Sequence, residues 1–415
     1  MEYPFVRTVD PAVADALEAE VERQRSGLQL IASENHASRA VLEAQSSALT
    51  NKYAEGYPGR RYYGGCEHAD TVEQLAIDRA KDLYGADHVN VQPHSGTQAN
   101  QGVYYAVLDP GDRILSLDLN NGGHLSHGHP VNFTGQNYEV ETYHVDPDTG
   151  YVDYEALAAT ADVFNPDIIV SGYSAYPRIV DWERVQSIAT SVDAYHLADI
   201  AHISGLVATG AHPSPVGIAD FVTASTHKTI RAGRGGLIMC DAAHAEAVDK
   251  AVFPGGQGGP LLHNIAGKAV GFQEALQPSF TTYIEHVLAN AEAMAARLAE
   301  HGFHIVSGGT DTHLFLVDLR PSHPDVSGGD AEEALEAAGI TLNGNTVPGE
   351  TRSAFDPSGI RIGTPSLTTR GFDEAECEAV ADLIAKVIDN LEDASVRSSV
   401  LESVEELCEA NPLYE

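Results

Sequence analysis

The 415-residue sequence predicts an α/β architecture: a mainly parallel seven-stranded sheet between helices, followed by a smaller α+β domain. Three observations carry this expectation. Between residues 88 and 241, short apolar runs alternate with helical or looped segments, the spacing of strands joined by crossovers that cover both sheet faces. After about residue 280 the pattern changes to long amphipathic helices with two strand-like segments between them. The length itself suits two or three domains at ~150 residues each.

The elements follow in chain order. Residues 1–45 form an expected arm and helix, too short to fold alone. Val72, Leu75, Ala76, Ala80 and Leu83 fall on one helical face, and Asp70 with Glu73 three residues later suits an N-cap and its reciprocal partner. The expected strands are His88–Pro93, Arg113–Asp118, Glu139–Val145, Asp167–Tyr173, Ala194–Ile200, Phe221–Thr226 and Gly236–Asp241. Val287, Leu288, Ala291, Met294 and Leu298 make one amphipathic helix; Val380, Leu383, Ile384, Val387, Ile388 and Leu391 make another. Between them lie strand-like segments at Phe303–Ser307 and His313–Leu319, and Val396–Cys408 is a third amphipathic helix expected to pack on the small domain. The expected organisation is an arm and helix at 1–45, a large domain at 46–279 and a small C-terminal domain at 280–415.

Composition excludes several function classes. Acidic residues number 60 and basic residues 24, so the formal net charge is −36. Nucleic acid is excluded as main partner, because phosphate-backbone binding needs a Lys/Arg footprint, and anionic membranes are disfavoured for the same reason. Only six lysines occur. Such a surface suits solution at high salt, where charge repulsion is screened, and points to a salt-rich cytoplasm. The four cysteines are widely spaced with no CxxC, so neither a disulfide framework nor a metal site is expected. The start Met1-Glu2-Tyr3-Pro4 lacks a basic region followed by an apolar run, and no stretch approaches ~18 apolar residues; the expectation is a soluble cytoplasmic protein.

A sheet of this kind binds ligands beyond the carboxyl ends of its strands, so residues just after each run matter most. Ser225-Thr226-His227-Lys228-Thr229 follows one strand. A lysine there can act as a Schiff-base nucleophile; taken alone, a surface lysine in a loop is the commoner case. Asp199-Ile200-Ala201-His202 follows an earlier strand. The carboxylate can hold a pyridinium nitrogen protonated or cap a helix, and His202 alone suits a hydrogen-bonded core histidine. In His94-Ser95-Gly96-Thr97-Gln98-Ala99-Asn100, Ser95 and Gln98 suit a capping box. Such a helix start is either ordinary or a phosphate site built from free N–H groups and the dipole. Phe253-Pro254-Gly255-Gly256-Gln257-Gly258-Gly259-Pro260 lets backbone approach a ligand closely, or makes a linker restricted by its prolines. The order is the stronger signal. A phosphate-binding helix start, then a strand-end Asp, then a strand-end Lys is the chain order of fold type I enzymes that use pyridoxal 5′-phosphate (PLP). The Rossmann alternative lacks G-x-G-x-x-G at a first strand–helix turn, and no P-loop motif occurs.

Longer segments resemble the serine hydroxymethyltransferase family. They are Leu30–Asn35, Asn51–Gly65, His124-Leu125-Ser126-His127-Gly128, Thr226-His227-Lys228-Thr229, Arg231–Gly236, the glycine run and Ser358–Pro365. They span residues 30 to 365, nearly the whole chain. Departures from the commoner family pattern occur at Arg231–Gly236, where many relatives carry a proline before the second arginine, and at Asn120–Gly123. The segment Pro348–Pro357, which varies in the family, carries Glu350, Arg352 and Asp356.

The resemblance implies PLP joined to Lys228, with Asp199 on the pyridine nitrogen, His124 stacked on the ring and His202 near the ring hydroxyl. It implies that Ser95, Gly96 and Thr97 hold the phosphate, helped by Gly259 of a partner subunit, with Ser174 touching the cofactor. His227 joins this cofactor set, and Thr226, two residues before Lys228, joins Lys228, Glu55, His124, Asp199 and Tyr53 as a catalytic residue. Arg361 would grip the substrate carboxylate with Ser33 nearby, while Tyr53, Glu55 and Tyr63 come from the other subunit. Glu55 would handle the proton near the serine hydroxyl; Leu119, Leu125 and Asn345 match folate-binding positions. Read singly, Tyr53 and Tyr63 also suit interface packing, and Arg361 a structural ion pair. The implied partners are serine, glycine and a reduced pterin, tetrahydrofolate or a related one, in a homodimer or tetramer with shared sites. The implied reaction interconverts serine and glycine and passes the one-carbon unit to the pterin, giving its methylene derivative. The alternative is a threonine or allo-threonine aldolase without pterin dependence. A PLP- or RNA-binding regulator is a third reading; the charge opposes RNA, and the complete Lys228/Asp199/Arg361 set opposes lost activity.

Overall fold

The computed structural model describes residues 1–414. The chain divides into two compact units, Asn35–Glu285 and Met1–Glu34 with His286–Glu415.

The first unit is built on α1 (Glu67–Tyr84), β1 (His88–Asn90), α2 (Gly96–Val107), β2 (Arg113–Leu117), β3 (Glu139–Tyr143), α3 (Tyr154–Phe164), β4 (Ile168–Ser171), α4 (Trp182–Ser191), β5 (Tyr195–Asp199), β6 (Phe221–Ser225), β7 (Gly236–Cys240) and α5 (Leu262–Ala275). All seven expected strands enter one sheet, in the order β1-β7-β6-β5-β4-β2-β3. β2 through β6 pair in parallel; β7 alone runs antiparallel to its neighbours β6 and β1. Every residue of β4, β6 and β7 is buried. That is why these strands are continuous apolar runs and not alternating ones. One face is covered by α2, whose Ala99, Val103 and Tyr104 share a core with Ile168, Leu197, Phe221 and Ile238.

The face of α1 departs from expectation. Its buried residues are Ala69, Glu73, Ala76, Ala80 and Tyr84, while Leu75 is exposed. The stripe is rotated because Asp70 and Glu73 do not cap the helix, which begins at Glu67. They bind Arg61 instead: its Nε donates to Asp70 at 2.8 Å and its Nη2 to Glu73 at 2.5 Å. Gln92 Nε2 donates to the other Glu73 oxygen at 2.7 Å. A buried carboxylate with a guanidinium partner outweighs the apolar pattern in deciding which side faces inward.

α6 (Pro278–Glu300) carries the chain onward. In the second unit β8 (His304–Ile305), β9 (Leu314–Asp318), β10 (Asn343–Asn345) and β11 (Gly359–Gly363) form a sheet in the order β8-β9-β11-β10. Its core joins Phe315, Val317, Ile360 and Ile362 to α7 (Glu374–Ile388) through Val380 and Ile384, and to α8 (Ala394–Ala410) through Val400 and Val404. The N-terminal segment belongs to this unit: Leu28 and Leu30 lie in the same core, and Gly363 N–H donates to the Leu30 carbonyl at 2.8 Å. Arg370, 6 % exposed, ties both ends of the chain by donating to the carbonyls of Gln24, Arg25, Gly27, Cys408 and Asn411. No described helix is long and apolar enough to cross a membrane.

Candidate active site

The carboxyl ends of β5 and β6 lie side by side, with Asp199 opposite Thr223. Asp199 ends β5 and is buried. Its Oδ1 accepts the Ala201 N–H at 3.0 Å; its Oδ2 accepts Asn100 Nδ2 and His127 Nε2, each at 2.9 Å. Burial alone raises a carboxyl pKa, but these donors overcome it and hold Asp199 below its ordinary range. The carboxylate is therefore an anion, and Oδ1 has taken one donor where Oδ2 has taken two. The following short helix, Ser204–Thr209, has Ile203 at its cap position, so Asp199 does not serve as a helix cap.

Asn100, on α2, is the hub of this network. Its Oδ1 accepts the Thr223 hydroxyl at 2.6 Å, which fixes the amide orientation. One Nδ2 proton goes to Asp199 and the other to Ser126 Oγ, also at 2.9 Å. Ser126 Oγ in turn lies 2.7 Å from His124 Nδ1. The Ser126 backbone N–H also donates to that nitrogen, so the neutral His124 ring carries its proton on Nε2. Burial, helped by His127, pushes His124 down to about 4. Lys228 lowers His124 as well, which places its charge nearby.

Lys228 follows β6 in a half-buried loop. Its carbonyl is held by Asn35 Nδ2 at 3.1 Å and Arg231 N–H at 3.0 Å. The Thr226 hydroxyl donates to the Gly233 carbonyl at 2.6 Å, so that group is engaged in shaping the loop. His227 is pushed down to about 3 by burial, then by Arg234 and Lys228. The His202 carbonyl accepts Thr229 Oγ1 at 2.9 Å, and Ser174 N–H donates to the Gly122 carbonyl at 2.8 Å. At the start of α2, Ser95 Oγ accepts the Gln98 N–H at 3.2 Å, which is the N-cap half of the expected capping box; the reciprocal half does not form, and Gln98 Oε1 instead accepts from Ser95 Oγ at 3.4 Å. A Cβ on Gly96 would meet Ser225 Cβ at 3.6 Å, an ordinary contact, so the helix start lies against the end of β6 with room to spare.

Tyr53, Glu55, Tyr63, Gly258 and Gly259 form a separate cluster. The Tyr53 and Tyr63 rings meet edge to face at 5.3 Å. A Cβ on Gly259 would lie 3.4 Å from the Tyr53 ring, and one on Gly258 would lie 3.5 Å from Glu55 Oε1. Glu55 raises the Tyr63 hydroxyl above its ordinary value. Both tyrosines are exposed, at 59 % and 46 %. Leu125 is exposed and Leu119 half-buried beside the His124 loop. Ser33, Asn345 and Arg361 lie in the other unit. Arg361 is on β11, paired with Asn343, and its Nε donates to Asn343 Oδ1 at 3.2 Å. Burial lowers Arg361 to about 10. Asn345 Nδ2 donates to the Thr346 carbonyl at 2.7 Å.

The residues around β5 and β6 fit PLP on three structural grounds. Asp199 is anionic with acceptor capacity left on Oδ1. His227 Nδ1 and His94 Nε2 are buried polar atoms without a hydrogen-bond partner. The α2 start offers N–H groups at a glycine that the protein's own packing does not require. Asn100, Ser126, His127 and Thr223 carried no role in the sequence reading. The available signal was Asn100, an amide among the apolar Ala99, Val103 and Tyr104 of one helix.

A buried strand-end carboxylate, a strand-end lysine and a capped helix start around one mainly parallel sheet define a PLP-dependent enzyme of fold type I. A model described as serine hydroxymethyltransferase matches residues 6–384. The serine hydroxymethyltransferase of Halorubrum lacusprofundi is 71% identical over 415 residues, covering 100% of both chains. That of Natronomonas pharaonis is 69% identical, covering 100% of this chain and 98% of its own. That of Alkalilimnicola ehrlichii is 55% identical, covering 99% and 98%. The chain belongs to the serine hydroxymethyltransferase family, PLP-dependent transferases that interconvert serine and glycine with tetrahydrofolate as co-substrate.

Proposed function

We propose that this chain interconverts serine and glycine through the division of labour below. The observation that carries the proposal is the buried Asp199 anion, fixed by three donors and one strand away from the Lys228 loop. Bound PLP supplies a sink for the electron pair released when the Cα–Cβ bond of serine breaks. Lys228 presents the amine that attaches the cofactor. Asp199 holds a proton on the ring nitrogen. His124, neutral and oriented by Ser126, offers a flat ring for stacking with its Nε2–H free to face substrate. Ser95, Gly96 and Thr97 direct N–H and hydroxyl groups at the phosphate; Ser174, His202 and His227 line the cofactor, and Thr226 shapes the lysine loop. Arg361 grips the substrate carboxylate with a fork of parallel donors, beside Ser33. Leu119, Leu125 and Asn345 contact the pterin.

Tyr53, Glu55, Tyr63 and Gly259 act in the site of a second copy, in a homodimer. Their clustering on one face of one chain, with the tyrosines exposed, supports their moving together as one donated group. Glu55 carries the proton at the serine hydroxyl. The large domain, residues 46–279, carries the cofactor set, and the small C-terminal domain, residues 280–415, carries Arg361.

Lys228→Ala tests the reading. The visible band of the lysine-linked cofactor should vanish, together with tetrahydrofolate-dependent glycine formation from serine. A variant that keeps the band refutes the lysine assignment. Serine cleavage that tetrahydrofolate fails to stimulate in the wild type refutes the transferase reading in favour of an aldolase.

A further inference from the structure

Lys268 lies on α5 and is 1 % exposed. Its Nζ donates to the carbonyls of Val91 at 2.6 Å, Pro93 at 3.0 Å and Gly236 at 3.0 Å. Three acceptors match the three N–H groups of an ammonium; a neutral amine would turn its lone pair toward one of the oxygens. Burial lowers Lys268 to about 7, and buried Glu73 opposes this. Val91 and Pro93 lead into His94-Ser95-Gly96, the start of α2, and Gly236 opens β7. Two glycines permit the approach. A Cβ at Gly235 would lie 2.2 Å from Lys268 Cε, and one at Gly236 would lie 2.2 Å from the Ser95 carbonyl oxygen.

We propose that Lys268 is a positioning residue for the anion site at the start of α2. It straps the 91–93 segment to β7 and sets a buried positive charge behind the N–H groups of Ser95, Gly96 and Thr97, so the site selects a phosphate-bearing ligand. This rests on the PLP reading of that helix start. The charge matters here because the chain has few lysines and a net charge of −36. A surface lysine's attraction is screened in salt, whereas a buried one's is screened much less.

The test compares apoenzyme binding of PLP with that of pyridoxal, which keeps the aldehyde but lacks the phosphate. Absorbance titration and the rise in melting temperature report both ligands. In K268M, PLP affinity should fall on the order of 10–100-fold, while pyridoxal affinity changes less than about threefold. K268Q keeps two N–H donors and no charge, and should show the same selective loss if K268M does not fold. An unchanged PLP-to-pyridoxal ratio in K268Q, or equal losses for both ligands, overturns the proposal. A wild-type apoenzyme that binds neither aldehyde overturns the PLP reading and takes this inference with it.

Discussion

The backbone N–H of Ser126 points at Nδ1 of His124 across 3.2 Å. A backbone amide only donates, so this contact decides the tautomer: Nδ1 accepts and Nε2 carries the proton. With the ring pushed down to about 4, His124 stays neutral across the physiological range. Nitrogen NMR on histidine-labelled apoenzyme should report an Nε2–H tautomer that is unchanged from pH 6 to pH 9. S126A removes the hydroxyl but keeps the backbone donor, so the tautomer should survive. An Nδ1–H ring in the wild type would refute the assignment.

Asn100 joins Asp199 to that same histidine through Ser126. N100D replaces two donated protons by a carboxylate facing a carboxylate, and like charges at that distance cannot both stay ionised without cost. Turnover should fall on the order of 10–100-fold, as when the group orienting a reactive side chain is lost. The pH dependence of the cofactor band should move with it, because N100D perturbs Asp199, the carboxylate proposed to hold the ring nitrogen. An N100D enzyme with an unshifted band would make Asn100 a packing residue only.

His196 on β5 gives a stability prediction. It is 0 % exposed, with Nδ1 on Gln186 Oε1 at 3.1 Å and Nε2 on Ser171 Oγ at 2.7 Å. The amide oxygen only accepts, so the neutral ring donates from Nδ1 and accepts from Ser171. Burial pushes His196 to about 3. The unfolded chain takes up a proton near pH 6.5 and the folded chain does not until near pH 3. Stability is therefore full above the unfolded value and is lost as pH falls toward the folded one. By pH 5 the loss from this histidine is about 2 kcal/mol. His124 and His227 act in the same direction. Denaturant unfolding should show stability dropping from pH 7 to 5, with a shallower slope in H196Q. An equal slope in the variant would assign the acid sensitivity elsewhere.

The contrast between β5 and α1 explains how far the sequence could be read. Asp199 and Lys228 were visible because strand ends in a buried parallel sheet are marked by apolar runs; Asp199 closes one such strand and Lys228 follows another. The buried face of α1 was not. Its apolar residues point to one stripe, but Glu73 goes inward because Arg61, twelve residues earlier, waits there. Partner identity is a tertiary fact that periodicity does not carry. Asn100, Ser126 and Thr223 were hidden for the same reason: each is an ordinary polar residue until the fold closes Thr223 onto Asn100.

Gly172, directly after β4, has φ +88°, and a Cβ there would lie 1.9 Å from the Asp199 carbonyl oxygen. The clash is with backbone, which cannot rotate away. G172A should cost about 3–5 kcal/mol, combining strained φ with overpacking. It should also weaken PLP retention by displacing Asp199. A G172A protein with wild-type melting temperature would show that β4 and β5 can separate there.

Arg61 is the last case. Its side chain is 3 % exposed. Beyond Asp70 and Glu73, its Nη1 donates to the carbonyls of Ala54 at 2.9 Å and Gly56 at 2.8 Å, the two residues flanking Glu55. One guanidinium thus pins the segment that presents Tyr53 and Glu55 to α1. Lysine has three donors at a single point and cannot span these four partners. Glu73, 1 % exposed, would be left short of its fork. R61K should cost about 2–4 kcal/mol, somewhat less than outright removal of a buried partner. Turnover should fall roughly tenfold as Glu55 loses its fixed position. The cofactor band should form normally, because Lys228 and Asp199 make no bond to Arg61. Loss of the band together with turnover would mean that Arg61 supports the whole unit, and that Glu55 owes it nothing in particular.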